Sequence, residues 1–441
     1  MKPAITSMAE FNLVDKASAL FEESSGCKLH RDPAAGKRKF LPLSRWRNTL
    51  TQEDIPPFML LSDHLDMVGV ELRATHTQTR KVNGDIIQDR IQKTIGAWRS
   101  GKFMPLIQRS WSINNFCSSK IWYKTNVMDL RASDISSITS KIKSWLYSDQ
   151  FEKPEEMVVY RPNNMGGLNI HNIKYKAMAM LIRSFLETSI NPKFIHNLFH
   201  IALFNCHVLL DNSWPDPGIP PFFSQDFFNA IRNVHETSPL NIATMTSRQW
   251  YHLLLEDNMT MVSAFVDGPR LFAPCKAEKM NQDTEWEKTW RLARMKGLDS
   301  NQTSFLWKLL HALLPTLNRV NRISPNTSPI CQHCNTDIPH ALFHCSFNSI
   351  VSQYLLNILS RHQPDLSFDD ILCLNFKVED DHELPFVWIT STLLSSIWSL
   401  RKDKKKCDLI KARADLEAKV SLLRKTKFKQ AADKISKMLF V

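Results

Sequence analysis

Apolar residues recur every three or four positions through most of this chain, which is the period of an amphipathic helix. One clear stripe consists of Ile87, Ile91, Ile95 and Trp98. The same spacing predicts helices over 86–98, 110–123, 175–187, 247–255 and 285–314. Only 11 glycines interrupt the 441 residues. The pattern therefore predicts a mainly α protein.

The N-terminal region has a different pattern. A helix-like stretch at 11–26 precedes two short β-like runs, CKLH and RKFLPL, and a third apolar strand candidate, HLDMVGVEL, at 64–72. These elements predict a small α+β piece. The Pro-rich stretch SWPDPGIPPFF at 213–223 is typical of a linker or domain boundary.

The C-terminal region is helical and strongly basic. An apolar run at 386–400 is too short for a membrane span of about 20 residues, so we expect a buried helix there and no membrane partner. A C-terminal helix follows, with an apolar face formed by Leu409, Ala412, Leu416, Val420, Leu423, Ala431, Ile435 and Leu439. From Arg401 onward the chain has 14 Lys and Arg against 5 Asp and Glu, a net +9 of the chain's +12. A block of this kind usually indicates a solvated face, but its density suggests a phosphate-bearing or other acidic partner.

Nine cysteines and no signal peptide after Met1 indicate a reducing, intracellular compartment. The sequence RKDKKK also fits a nuclear localisation signal, so a nuclear location is open as well.

Three cysteines and three histidines lie within CQHCNTDIPHALFHC, residues 331–345. A pair of cysteines two residues apart can turn both sulfurs toward one zinc ion. The spacing predicts a zinc site with Cys331, Cys334, His340 and Cys345 as ligands. His344 is the alternative to His340, disfavoured because adjacent residues on a helix point about 100° apart. Four protein ligands make a closed, structural site without an activated water.

The segment FLWKLLHALLPTLNRVNRI followed by SPICQHC and HALFHC resembles the zinc-binding region of reverse transcriptases from non-LTR (LINE-type) retrotransposons. RPNNMGGLNIHNI resembles the glycine-pair segment after the thumb of that family, and SINNFCSSKIWY resembles its thumb helix. SSGCKLH through MVGVEL is similar to the end of its palm.

This resemblance implies five regions along the chain. They are a palm-tail-like α+β segment (1–80), a helical thumb and connector (81–212), a Pro-rich boundary and helical linker (213–284), a zinc-binding domain (285–350) and a C-terminal helical region with a basic tail (351–441).

The resemblance also implies that the catalytic Asp-Asp hairpin would lie upstream of the matched region. The pairs Asp369-Asp370 and Asp380-Asp381 follow the zinc segment and lack a strand-turn-strand pattern, so we expect a helix N-cap and a solvated loop there. We therefore expect this chain alone not to be an enzyme.

The expected activity is RNA or DNA binding. Candidate phosphate contacts in the tail are Lys404, Lys405, Lys406, Lys411, Arg413, Arg424, Lys425, Lys427 and Lys429. Thumb-like contacts implied by the resemblance are Arg90, Lys93, Arg99 and Lys102. The sequence thus indicates a zinc-containing fragment or remnant of a reverse transcriptase. The alternative is a domesticated zinc-containing scaffold that binds proteins. Whether the chain is a complete gene product or a truncated element is open.

Overall fold

The structure is a computed structural model. It describes residues 39–41, 51–54, 60–67, 69–73, 75–99, 104–126, 128–148, 153–190, 245–258, 284–314, 348–402 and 408–440, together with the single positions 16, 23, 278, 316, 321, 326, 342 and 345. Helices make up 70% of these residues, which confirms the prediction of a mainly α protein. None of the helices in this part of the chain is long and apolar enough to cross a membrane.

The described residues form four strands of two to four residues and helices of up to 24 residues. The strands are β1 (Lys39–Phe40), β2 (Leu60–Leu61), β3 (His64–Met67) and β4 (Val70–Arg73). The helices of the first half are α1 (His76–Arg99), α2 (Leu106–Ser112), α3 (Ser119–Thr125), α4 (Ala132–Leu146), α5 (Glu156–Tyr160) and α6 (Ile173–Ile190). Those of the second half are α7 (Ser247–Asn258), α8 (Trp286–Leu292), α9 (Ser300–Leu310), α10 (Ser349–Ser360), α11 (Phe368–Cys373), α12 (Asp380–Lys402), α13 (Leu409–Arg424) and α14 (Lys429–Phe440).

The chain divides into two compact units, each built from three separate segments. The first unit comprises Met1–Thr94, Ser119–Thr139 and Ile173–Leu254. The second comprises Ile95–Ser118, Ser140–Asn172 and Leu255–Val441. Neither unit is one continuous range of sequence, so each depends on contacts between distant segments.

The strand expected at 64–72 is a β-hairpin in the first unit. β3 pairs antiparallel with β4, with Met67 opposite Val70 beside the turn that contains Gly69. Gly69 has φ +81, a left-handed conformation that costs glycine little. The stretch MVGV at 67–70 contains no Pro, Asn or Asp, so the sequence did not predict this turn. β1 and β2 form a separate parallel pair of two residues each, and the run CKLH and most of the predicted helix at 11–26 lie outside the described residues.

Asn83 joins the hairpin to α1. Its side chain is fully buried and donates to the carbonyl oxygens of Glu71 at 2.7 Å and Thr79 at 2.8 Å. Its Oδ1 accepts from the N–H of Glu71 and from the buried ammonium of Lys124. Ile87 and Ile91 of the predicted stripe are buried on the same helix, which confirms their assignment to the core. Burial lowers the pKa of Lys124, and the nearby Arg90 lowers it further.

The single helix expected over 285–314 is two helices, α8 and α9, in the second unit. The break is at Gly297, whose φ of +113 is poorly accessible to other residues. Asp299 then caps α9 by accepting from the N–H of Gln302 at 2.8 Å, while Gln302 accepts from the N–H of Asp299 at 2.8 Å. This reciprocal capping box satisfies two amide groups that the helix leaves open.

The predicted buried helix at 386–400 is confirmed within α12. Phe386, Ile389, Leu393 and Ile397 are buried on it. Pro385 lies inside this helix and has no N–H, so the carbonyl oxygen of Asp381 loses its usual helical donor. Lys434 of α14 donates to that carbonyl at 3.4 Å and also contacts the Asp381 carboxylate.

The predicted C-terminal helix is also two helices, α13 and α14. Most of the predicted apolar face is buried, with Ala432 in place of Ala431 and with Leu409 half-buried. The chain turns after Arg424: Thr426 donates its hydroxyl to the Leu423 carbonyl oxygen at 2.6 Å. The sequence KTKFK contains neither glycine nor proline, so it gives no strong prediction of this turn.

Candidate nucleic-acid interface and metal site

Cys345 is the only predicted zinc ligand among the described residues. It is 3% exposed, and its carbonyl oxygen accepts from the N–H groups of Asn348 and Ser349, each at 2.9 Å, at the start of α10. A buried thiol with its backbone held in this way suits a structural ligand, and it suits ordinary packing equally. Cys331, Cys334, His340 and the alternative His344 lie outside the described residues. The ligand set therefore stays a prediction.

Glu379, Asp381 and His382 form a second group that offers metal-ligand atoms, all within 4.8 Å of one another. Asp381 already has a partner outside this group. Asp381 forms an ion pair with Lys434, and its carboxylate lies 2.8 Å from Nδ1 of His382. These contacts explain the group as the anchored start of α12. The solvated loop expected at Asp380-Asp381 is thus the first turn of a helix.

The other aspartate pair also begins a helix. Asp370 of α11 forms a capping box with Ser367, whose hydroxyl donates to the Asp370 carboxylate at 2.6 Å. Asp369 lies in the same first turn. Acidic side chains are favourable at this end of a helix because of its macrodipole.

The basic residues of the C-terminal helices differ in their partners. Arg424 donates to Asp433 at 2.8 Å and to Ser436 at 2.8 Å, and the guanidinium of Arg413 lies 5.7 Å from the ring centroid of Tyr354. Lys425, Lys427 and Lys429 are exposed at the turn between α13 and α14. Among the described residues, no carboxylate forms an ion pair with these three lysines. We call them the turn lysines.

The remaining predicted contacts are only partly described. Lys411 is exposed on α13, whereas Lys404, Lys405 and Lys406 lie outside the described residues. Of the thumb-like candidates, Arg90 and Lys93 are exposed on α1, and Lys93 forms an ion pair with Asp89 at 2.8 Å. The side chain of Arg99 and the whole of Lys102 lie outside the described part. Trp98, expected in the core, is half-buried against Phe116, with ring centroids 5.1 Å apart.

The glycine-pair loop of the second unit, residues 161–170, is held by several long-range hydrogen bonds. The carbonyl oxygen of Gly166 accepts from the indole N–H of Trp307 at 2.7 Å and from the ring nitrogen of His311 at 2.8 Å. Gly166 itself has φ +76. A Cβ added at Gly167 would lie 1.9 Å from the carbonyl oxygen of Arg161. Both glycines are therefore required by the geometry of the loop.

Aromatic rings surround the histidine that binds this loop. The ring of His311 stacks on Trp290 with centroids 4.8 Å apart, and Trp307 lies at 4.4 Å on a tilted plane. Burial among these rings lowers the pKa of His311 to about 4, although its bond to Gly166 acts in the opposite direction. The ring is thus neutral at physiological pH, with its Nε2–H directed at the carbonyl oxygen.

Two arginines complete the loop's support. Arg161 is 2% exposed and binds both carboxylate oxygens of Glu278 at 3.1 and 3.2 Å. Glu278 also accepts from the indole N–H of Trp290 at 2.8 Å. Arg294 donates to Asn163 at 2.7 Å and to the Gly167 carbonyl oxygen, and burial lowers the pKa of Arg294 to about 10. Sequence reasoning identified the loop but not Trp290, Arg294 or Glu278, because their spacing in sequence carries no signal of a shared site.

No model of a known protein family matches this chain, and no curated protein is significantly similar to it in sequence.

Proposed function

We propose that this chain binds RNA or DNA through its basic C-terminal helices. The turn lysines carry the proposal: they are three exposed ammonium groups on a stretch, residues 421–432, that contains four Lys or Arg and no Asp or Glu. Ammonium groups without carboxylate partners attract phosphates and release counterions on binding. The neighbouring cations are engaged instead, Arg424 with Asp433 and Lys434 with Asp381.

The fuller proposal is that the chain is the post-catalytic part of a non-LTR retrotransposon reverse transcriptase. It rests on the resemblance of the zinc-binding and glycine-pair segments, and it includes one structural zinc. Under this proposal the chain alone does not polymerise. Templated extension of a primed RNA by the pure chain with magnesium would contradict that part.

Binding to a labelled single-stranded RNA at several salt concentrations tests the role of the turn lysines. Replacing Lys425, Lys427 and Lys429 by Gln is expected to reduce the log–log salt slope by about 2, since each phosphate contact on a single strand contributes about 0.7. The decrease in affinity should be similar for unrelated RNA sequences, because phosphate contacts carry no base information.

The matched control replaces by Gln three exposed lysines outside the C-terminal helices, Lys120, Lys153 and Lys296. It removes the same charge and is expected to leave the slope nearly unchanged. Equal slopes for the two triple variants would show that net charge alone attracts RNA and would overturn the assignment to the turn.

The alternative function is a scaffold that binds another protein. Ile410 and Leu422 favour it, because they are apolar side chains of α13 that are 78% and 63% exposed. An apolar protein interface would not show steep salt dependence. RNA affinity that is weak and unaffected by salt would therefore place this alternative first.

A further inference from the structure

The first unit contains a second group of cations, between α6 and α7. The ammonium of Lys176 on α6 lies 5.6 Å from the ring centroid of Tyr251 on α7. Further along α6, Arg183 donates to the carbonyl oxygen of Met245, just before α7 begins, at 3.2 Å. The two helices therefore run in opposite directions, and side chains of α6 reach α7. We call Lys176, Arg248 and His252 the basic seam.

The described side chains of α6 and α7 include no carboxylate; Glu187, Glu256 and Asp257 lie further along the two helices, and their side chains are outside the described residues. Residues 173–184 and 247–255 contain no Asp or Glu. No ion pair forms to Lys176, Arg248 or His252 within the part of the chain that the structure describes. Nδ1 of His252 is buried and has no hydrogen-bond partner there either.

The pKa shifts of Lys176 and His252 have the direction expected for positively charged groups close together. Burial lowers the pKa of Lys176, and Arg248 lowers it further. Burial also lowers the pKa of His252, with added contributions from Arg248 and Lys176. Lys176 and His252 are half-buried, whereas Arg248 is exposed. Positive charge at a half-buried position without a counter-ion is unfavourable, and a bound anion would remove that cost.

We propose that the basic seam is an anion site that binds a phosphate of a nucleic-acid backbone. A guanidinium, an ammonium and an imidazole from two helices provide donors in several directions, which suits a tetrahedral oxyanion. The identity of the ligand rests on the proposed function; the anion site itself does not. This site is distinct in sequence from the turn lysines, so the two can be tested separately.

The first experiment measures binding of a labelled single-stranded oligonucleotide between 50 and 200 mM salt. Removing two phosphate contacts in Lys176→Gln with Arg248→Gln should lower the slope by about 1.4, so the parent's affinity falls about sevenfold more across this range than the variant's. The control is Lys174→Gln with Lys153→Gln, which removes two exposed charges, one of them on α6. Lys176→Arg, which keeps the charge, should bind like the parent.

The second experiment uses sulfate as the probe, a tetrahedral anion that does not titrate at neutral pH. The ring resonance of His252, assigned by its loss in His252→Gln, is followed through a pH titration with and without sulfate. Sulfate should raise the pKa of His252 in the parent and leave it unchanged in the Lys176 and Arg248 double variant.

The outcomes separate this site from the proposed function. If the seam variant binds the oligonucleotide like its control while the turn-lysine variant loses affinity, the seam is not a nucleic-acid contact and the proposed function stands. If sulfate raises the pKa of His252 but oligonucleotide affinity is the same in every seam variant, the site holds a free oxyanion and the nucleic-acid assignment is overturned. If neither the oligonucleotide nor sulfate produces the expected response, the anion-site proposal is overturned altogether.

Discussion

Trp307 donates its indole N–H to the backbone carbonyl oxygen of Gly166 at 2.7 Å, although 141 positions separate the two residues. A buried carbonyl without a donor would cost about 1–3 kcal/mol, so this bond and that of His311 fix the loop against α9. The loop also donates its own amide groups to α5: the N–H of Leu168 binds the carbonyl oxygen of Val158 at 2.9 Å, and the N–H of Ile170 binds that of Val159 at 3.0 Å.

Gly167→Ala should destabilise the protein strongly. The added Cβ would lie 1.9 Å from the Arg161 carbonyl oxygen, which belongs to the backbone and cannot move alone. We expect a loss of about 1–3 kcal/mol or more in the free energy of unfolding, measured with urea. The control is Gly96→Ala in α1, where no atom lies within 4 Å of the new Cβ. That variant should gain up to about 1 kcal/mol, because alanine favours the helix.

His311 should make stability depend on pH in the acidic range. Its pKa is about 4 when folded, against the ordinary 6.5, so the fold favours the neutral ring. The stabilisation is fully present above pH 6.5 and is lost as the pH falls toward 4. The full loss is about 3 kcal/mol. Urea unfolding at several pH values should show this decrease in the parent and a smaller one in His311→Phe, and equal decreases would contradict the assignment.

Glu278→Ala should be far more harmful than the loss of a surface ion pair. Arg161 and Glu278 have side chains only 3% and 12% exposed, so removing the carboxylate leaves a buried, uncompensated guanidinium. We expect a loss of about 3–5 kcal/mol. Asp433→Ala breaks the pair with Arg424, in which both side chains are 46% exposed, and should cost about 1 kcal/mol or less. Similar costs for both variants would show that the buried pair is not essential.

Helix positions followed from apolar periodicity, because burial of one face decides them. Ile87, Ile91 and Ile95 are all fully or nearly fully buried, as their spacing predicts. The sequence did not predict the turns that interrupt these elements, because each turn depends on the backbone conformation of one residue. Gly69 and Gly297 both adopt positive φ, and neither is flanked by the Pro, Asn or Asp residues that usually mark a turn.

The candidate sites also divide into those that the sequence predicts and those that it does not. Cys345 and the turn lysines could be proposed from sequence because the signals for them are local: a short metal-ligand spacing and a dense run of positive charge. The basic seam could not be, because Lys176 and Arg248 are 72 positions apart and only the approach of α6 to α7 brings them together. The support of the glycine-pair loop depends on long-range contacts as well.

The three lysines of the RKDKKK run, Lys404, Lys405 and Lys406, should contribute to RNA binding in addition to the turn lysines. Replacing all three by Ala is expected to reduce the log–log salt slope by about 2 and to weaken binding to unrelated RNAs alike. Combined with the turn-lysine variant, the two reductions should add, because the groups contact different phosphates. Unchanged RNA affinity at every salt concentration would show that the run is a solvated surface.

The zinc prediction depends on four ligands, of which Cys345 is buried and lies four residues before α10 begins. Elemental analysis of the purified chain should give one zinc, and Cys331→Ser should lose it, because a structural zinc needs its four ligands. The control is Cys373→Ser in α11, a cysteine outside the cluster, which should keep the metal.

His340→Ala and His344→Ala decide between the two histidines, since only replacement of the ligand should release zinc. Because zinc-binding free energy is folding free energy at such a site, the variant without metal should also become sensitive to protease around residues 331–345. A chain without zinc, or full zinc content in Cys331→Ser, would remove the metal site and with it the most specific part of the resemblance to reverse transcriptases.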